Sequence, residues 1–211
     1  MSREVQVRFC ESAGVRFPRA THLIVHCKTE EQANAIKNSI EQRLKRCKLD
    51  LHPEKTKIVY CRDDRRGGPR RPQEKFDFLG YTFRPRMVKS RRGTLFVGFN
   101  PAVSDKAKKT MLLKIRQSSI HQRSDLPLDE LARRWNPTLR GWINYYGRFY
   151  RSAIDPIFEH FNYTLTRWAE RKYQKLTGHT RRAKHWLGRV ARREPGLFAH
   201  WHLLGLRPGV G

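Results

Sequence analysis

The sequence predicts an α+β protein in which a small αβ piece precedes an all-helical piece. Two short apolar runs, residues 23–27 and 57–61, flank a stretch of helical period, and after Asn100-Pro101 every apolar pattern is helical. The boundary between the two pieces is expected near Pro101. The 211 residues suffice for one domain of ordinary size or two small ones, able to bury on the order of 70% of the extended surface.

Residues 1–22 show no clear period. Leu23-Ile24-Val25-His26-Cys27 then reads as a short strand. Thr29, with Gln32 three positions on, has the spacing of a capping box, in which the hydroxyl accepts from an otherwise orphaned amide. Ala33, Ile36, Ile40 and Leu44 recur at helical spacing while Lys37, Glu41 and Lys45 take other faces, so the helix buries one stripe. Leu49-Asp50-Leu51 turns the chain toward the strand at residues 57–61. Gly, Pro and charge mark residues 63–72 as an exposed loop. A strand over residues 76–81, with a hairpin partner at residues 94–99, closes the sheet portion.

Ser104 is placed to cap a helix running to about Ser118. Asn136-Pro137 and Asp155-Pro156 each set a capping residue before a proline, whose missing N–H costs little at a first helical position, so two helices are expected to start there. The first would bury Leu139, Trp142, Ile143 and Tyr146, and the second Ile157, Phe161, Leu165 and Trp168. Thr180 is expected to cap a last basic helix through about Arg193, ahead of Glu194-Pro195-Gly196. The sequence has no internal repeat, heptad array or low-complexity tail.

Composition points to a polyanion. Lys and Arg number 45 against 19 Asp and Glu, a formal charge of +26 and a pI near 10.8. Such an excess raises the free energy of an isolated fold by self-repulsion, and phosphate backbones relieve it while releasing counterions. No long apolar run and no signal-peptide pattern point to a membrane. Cys10, Cys27, Cys47 and Cys61 lack the spacing of a structural zinc site and read as reduced thiols of a cytoplasmic protein. His200 and His202, with no Cys or carboxylate beside them, read as a packing or surface pair, and no metal ligands are assigned.

Three islands add a family. His52-Pro53-Glu54-Lys55-Thr56-Lys57-Ile58-Val59-Tyr60, then Phe76-Asp77-Phe78-Leu79-Gly80-Tyr81-Thr82-Phe83, then Arg140-Gly141-Trp142-Ile143-Asn144-Tyr145-Tyr146 resemble, in order and separation, bacterial group II intron reverse transcriptases. The resemblance implies a divergent segment at 1–22, the end of a polymerase palm with its primer-grip region at 23–101, and a thumb with the maturase-specific helical domain at 102–211. It makes Phe78, Leu79 and Gly80 primer-grip-like. It also implies that Arg140, Trp142, Asn144, Tyr145 and Tyr146 belong to the maturase motif, with Trp142 and Tyr146 spaced for packing. The cations expected to meet RNA are Lys108 and Lys109, then Arg140, Arg148 and Arg151, then Arg167, Arg171 and Lys172, and finally Arg181 and Arg182.

The same resemblance puts two adjacent Asp, which hold catalytic Mg²⁺ in the complete family enzyme, a few residues before the first strand. Arg19-Ala20-Thr21-His22 stands there, and Thr and His cannot supply the anionic oxygens that Mg²⁺ requires. No catalytic residue is assigned and no cofactor is expected on this chain alone. The expected function is RNA binding that assists intron folding and splicing. The alternative is the C-terminal half of a split or decayed RNA-directed DNA polymerase, active only with a separate N-terminal part.

Overall fold

The computed structural model describes residues 5–10, 22–64, 72–90 and 92–204, and gives the backbone alone for residues 5–10, 22–23 and 203–204. The fold is α+β, and the chain divides into two units, residues 1–101 and 102–211.

The first unit holds β1 (Val5–Cys10), β2 (His22–Cys27), α1 (Glu30–Arg46), β3 (Lys57–Tyr60), β4 (Phe76–Phe78), β5 (Tyr81–Lys89) and most of β6 (Leu95–Val103). One sheet has the order β2-β1-β3, with β1 antiparallel to both neighbours. Helix α1 therefore joins two strands that are separated by a third. The reading of residues 1–22 as having no clear period is corrected by β1. Val5, Val7 and Phe9 alternate with Gln6 and Arg8, the two-residue period of a strand, and that strand takes the central place. At the start of α1 the Thr29 hydroxyl accepts from Gln32 N at 3.1 Å, while Gln32 Oε1 accepts from Lys28 N at 2.8 Å. Ala33 and Cys27 are buried together beneath Val25, Ile36, Ile40, Leu51 and Ile58.

The second sheet has the order β4-β5-β6. Residues 76–81 are not one strand, as the apolar run implies, but a strand and a hairpin turn. Phe78 pairs with Tyr81, and Leu79 and Gly80 between them have φ of 47° and 79°. Two successive positive φ values make the two-residue turn that matches strand twist, and only the glycine adopts it without strain. Phe78, Leu79 and Gly80 thus form a turn whose Leu79 side chain is exposed. Phe76 stacks on Phe83, their ring centroids 4.8 Å apart. Of the expected loop, residues 65–71 lie outside the described residues. Asp64, at its start, is tied to β6 by Val97 N donating to Asp64 Oδ2 at 2.6 Å.

The second unit holds α2 (Asp105–Gln117), α3 (Leu128–Tyr146), α4 (Asp155–Lys172), α5 (Thr180–Arg193) and α6 (Ala199–Leu204), with one-turn 3-10 helices at Ile120–Gln122, Arg151–Ala153 and Gln174–Leu176. Ser104 caps α2 as expected, its hydroxyl accepting from Ala107 N at 3.2 Å. Asp155-Pro156 opens α4, but Asp155 is its first residue rather than its cap; Ile154 holds that position and no side chain caps it. Asn136-Pro137 opens nothing: α3 begins at Leu128 and Pro137 lies inside it. Leu131 and Ala132 are buried and Trp135 packs beside them, and this burial outweighs the roughly 3 kcal/mol penalty of an interior proline. Asn136 caps a different helix. Its amide donates to Leu197 O at 2.9 Å and its Oδ1 accepts from Ala199 N at 2.8 Å, holding the first residue of α6. Thr180 is likewise the first residue of α5 rather than its cap, which is His179, and no side chain caps that end.

Helix α4 is the centre of the unit. Phe161, Leu165, Trp168 and Ala169 are fully buried, and Ile157 and Phe158 nearly so. Trp135 meets Phe161 at 5.0 Å from α3, and Trp168 Nε1 donates to Arg123 O at 2.9 Å. His200 is fully buried against Phe158, Phe161 and Phe198. Its Nε2 lies 2.8 Å from Asn162 Oδ1, which also accepts from Trp201 Nε1 at 3.0 Å. Nδ1 has no hydrogen-bond partner among the described residues, and burial pushes the imidazole down to about 3.

His200 ties stability to pH. The unfolded chain protonates it near pH 6.5 and the folded one near 3, so stability is full above 6.5 and falls as pH drops below it, by at most about 1.4 kcal/mol per pH unit. Urea midpoints at pH 7.5, 6.5 and 5.5 are expected to show that fall, reduced in His200→Gln; a flat profile would contradict it. Among the described residues, strands β2 and β3 are the edges of the first sheet, and Tyr60 N on β3 already donates to Gln73 O at 3.0 Å. Self-association through β2 is therefore expected in sedimentation at rising concentration, and a strictly monomeric chain would argue against it.

Candidate nucleic-acid interface

With one face of each helix turned toward α4, the charges of the second unit fall on the other. Residues 102–211 carry twenty-two Lys and Arg against eight Asp and Glu, so a carboxylate beside any given cation is the exception.

Helix α3 concentrates its acid in the first turn, where Asp129 and Glu130 favour the positive end of the helix dipole. Arg133 pairs with both, at 3.3 and 2.8 Å, and Arg134 lies 3.0 Å from Glu130. Beyond them no carboxylate follows until Asp155. Pro137, Arg140, Gly141, Asn144, Tyr145 and Arg148 are all exposed, spaced so that they form one outward stripe opposite Leu139, Trp142, Ile143 and Tyr146. Gly141 costs this helix about 1 kcal/mol relative to alanine. Past the end of α3, Phe149 and Tyr150 are exposed beside Arg148 and Arg151 in sequence. Burial holds the Asp155 carboxyl above its usual range, an effect the Arg151 charge partly offsets.

Helix α5 is the second basic face. Arg181, Arg182, Lys184, His185, Arg189 and Arg192 are exposed, while Ala183, Leu187, Gly188, Val190 and Ala191 are buried. The helix contains no carboxylate, and the first after it, Glu194, pairs with Arg193 at 3.2 Å. Lys184, Arg189 and Arg192 are outward cations that the sequence reading missed. The apolar spacing of Ala183, Leu187 and Val190 is signal enough, since it fixes the opposite phase as outward.

The cations expected to meet RNA do not all stand alike. Lys109, Arg140, Arg148, Arg151, Arg171, Arg181 and Arg182 are exposed. Lys108 is half-buried with Asp105 at 3.6 Å. Arg167 lies 2.7 Å from the buried Glu170. Lys172 donates to Ser124 O at 2.7 Å and sits 5.8 Å over the Trp168 ring, so it fastens α4 to the segment after α2. Arg116 of α2 acts within the fold as well: burial, helped by its charge, holds the His160 imidazole below the usual range. Phe78, Leu79 and Gly80 belong to the other unit.

Among the described residues no group of three or more His, Cys, Asp or Glu is assembled for a metal, and Cys27 and Cys47 are free thiols. No described helix is long and apolar enough to cross a membrane. Burial raises the Cys27 thiol above its usual range.

The two classes of cation separate in experiment. Lys172→Ala is expected to lower stability by about 1–2 kcal/mol in urea denaturation, because it removes both the hydrogen bond to Ser124 O and the cation over Trp168. Arg189→Ala with Arg192→Ala is expected to leave stability unchanged and to weaken RNA binding, lowering the salt slope by about one for each phosphate left unneutralised. Equal falls in stability in both variants would refute the assignment.

Residues 108–186, from the first turn of α2 to the middle of α5, match the family model of the group II intron maturase-specific domain. The match covers both α3 and its outward stripe and leaves the first unit outside. No curated protein matches the chain.

Proposed function

We propose that this chain, which carries a group II intron maturase-specific domain over residues 108–186, binds intron RNA through its helical unit and assists the RNA to fold and splice. The observation that supports this reading is the pair of outward faces on α3 and α5, cationic and free of carboxylates between Glu130 and Asp155 and along the whole of α5. Structured RNA is recognised chiefly by phosphate, shape and 2′-hydroxyl contacts, which cations on rigid helices supply without reading base pairs. Exposed Tyr145, Phe149 and Tyr150 add surfaces on which an unpaired base stacks, worth roughly 1–3 kcal/mol per base. The reading includes no polymerase site of the chain's own and no resident cofactor, because Thr21-His22 stands where paired Asp would hold Mg²⁺. It places the work in the cytoplasm.

A second reading is favoured by one observation in the first unit. Leu79, Met87, Leu95 and Phe96, all of the β4-β5-β6 sheet and its turns, are exposed apolar side chains that a separate polymerase part would cover. Complementation of primer extension by a polypeptide that supplies the Asp pair tests it.

The first reading is tested by titrating the full chain against a folded group II intron RNA and an equally long unrelated structured RNA at two salt concentrations. Preference for the intron that persists at the higher salt is the expected result. Equal, salt-sensitive binding to both RNAs would reduce the protein to a general basic binder.

A further inference from the structure

We infer that the outward face of α3 between Pro137 and Tyr145 is a seat for the sugar–phosphate backbone of RNA, with Gly141 as its floor. The inference rests on the RNA-binding reading above and supplies its point of closest approach.

Helix α3 and its C-cap contain two glycines with different explanations. At Gly147, the C-cap, a Cβ would stand 2.5 Å from Ile143 O, so the helix end itself excludes a side chain. At Gly141 a Cβ would meet no atom within 4 Å. That position is exposed and interior to the helix, where glycine is disfavoured, and nothing among the described residues requires it. One turn earlier on the same face stands Pro137, the other residue that helix interiors disfavour. Proline has no N–H, so the Arg133 carbonyl lacks its usual donor four residues on. Two such residues, four apart on the outward face, leave a smooth strip of backbone with an acceptor at one end.

A missing side chain on an exposed face serves close approach from outside. Charge identifies what approaches. Arg140 and Arg148 flank the strip without a carboxylate near them in sequence, whereas Arg133 is already held by Asp129 and Glu130. Asn144 offers both a donor and an acceptor. A ribose-phosphate strand matches this set: phosphate oxygens for the guanidinium groups and a 2′-hydroxyl donor for the Arg133 carbonyl or the Asn144 amide. The bare Gly141 backbone lets the strand lie close enough for those groups to reach it.

The test uses the full chain with Gly141→Ala and Gly141→Leu, melted alone and titrated with the folded intron RNA and an unrelated structured RNA. Gly141→Ala is expected to melt about 4 °C higher, because alanine favours the helix. It is nevertheless expected to bind intron RNA about tenfold more weakly, as when one or two charge-assisted hydrogen bonds no longer form, and Gly141→Leu more weakly still. Wild-type affinity in both variants overturns the inference. Weaker binding with lower melting in both also overturns it, since the glycine would then serve the fold. If the wild type binds the two RNAs equally, the intron reading fails alone, and weaker binding of both by Gly141→Leu still supports the seat. If the wild type binds neither, both fall.

Discussion

The helical unit depends on the burial of α4. Phe161, Leu165, Trp168 and Ala169 have no exposed surface, so the helix is covered on nearly every side, and each large apolar side chain among them contributes about 1.5–3 kcal/mol when buried. Covering α4 commits one face of α2, α3 and α5 inward. What remains outward on those helices is then cationic, because the sequence supplies little else to place there. Fold and charge pattern are one arrangement: the apolar stripe that builds the core also sets the phase of the basic stripe.

This arrangement carries a strain that a polyanion relieves. Cations crowded onto outward faces repel one another across distances comparable to the screening length in physiological salt. Beneath them, a few polar side chains tie the helical unit together. Asn162 serves both His200 and Trp201, Asn136 holds the start of α6 from α3, and Lys172 closes on the Ser124 carbonyl. Each joins segments far apart in sequence.

That separation explains what is legible in the sequence and what is hidden. Local signals hold: Thr29 and Ser104 cap the helices their spacing announces, and the Ile157, Phe161, Leu165 and Trp168 stripe lies in the core. Long-range partners defeat local signals at Asn136-Pro137, which looks like a helix start yet sits inside α3, because its true partners, Leu197 and Ala199, lie about sixty residues away. The turn at Leu79-Gly80 hides inside an apolar run, since only backbone φ distinguishes it from strand. In the interface the basic residues are visible, but not which of them the fold employs. Lys172 and Arg167 face partners in the unit, while Arg189 and Arg192 stand outward in the phase opposite Leu187 and Val190.

If intron RNA meets the outward faces of α3 and α5, those two segments lie within bonding distance of its bases and sugars. Zero-length ultraviolet crosslinking of the full chain to a folded group II intron RNA, followed by mass spectrometry of the crosslinked peptides, tests this most directly. Crosslinks within residues 137–151 and 181–192 are the predicted result. Crosslinks confined to residues 22–103 would contradict it.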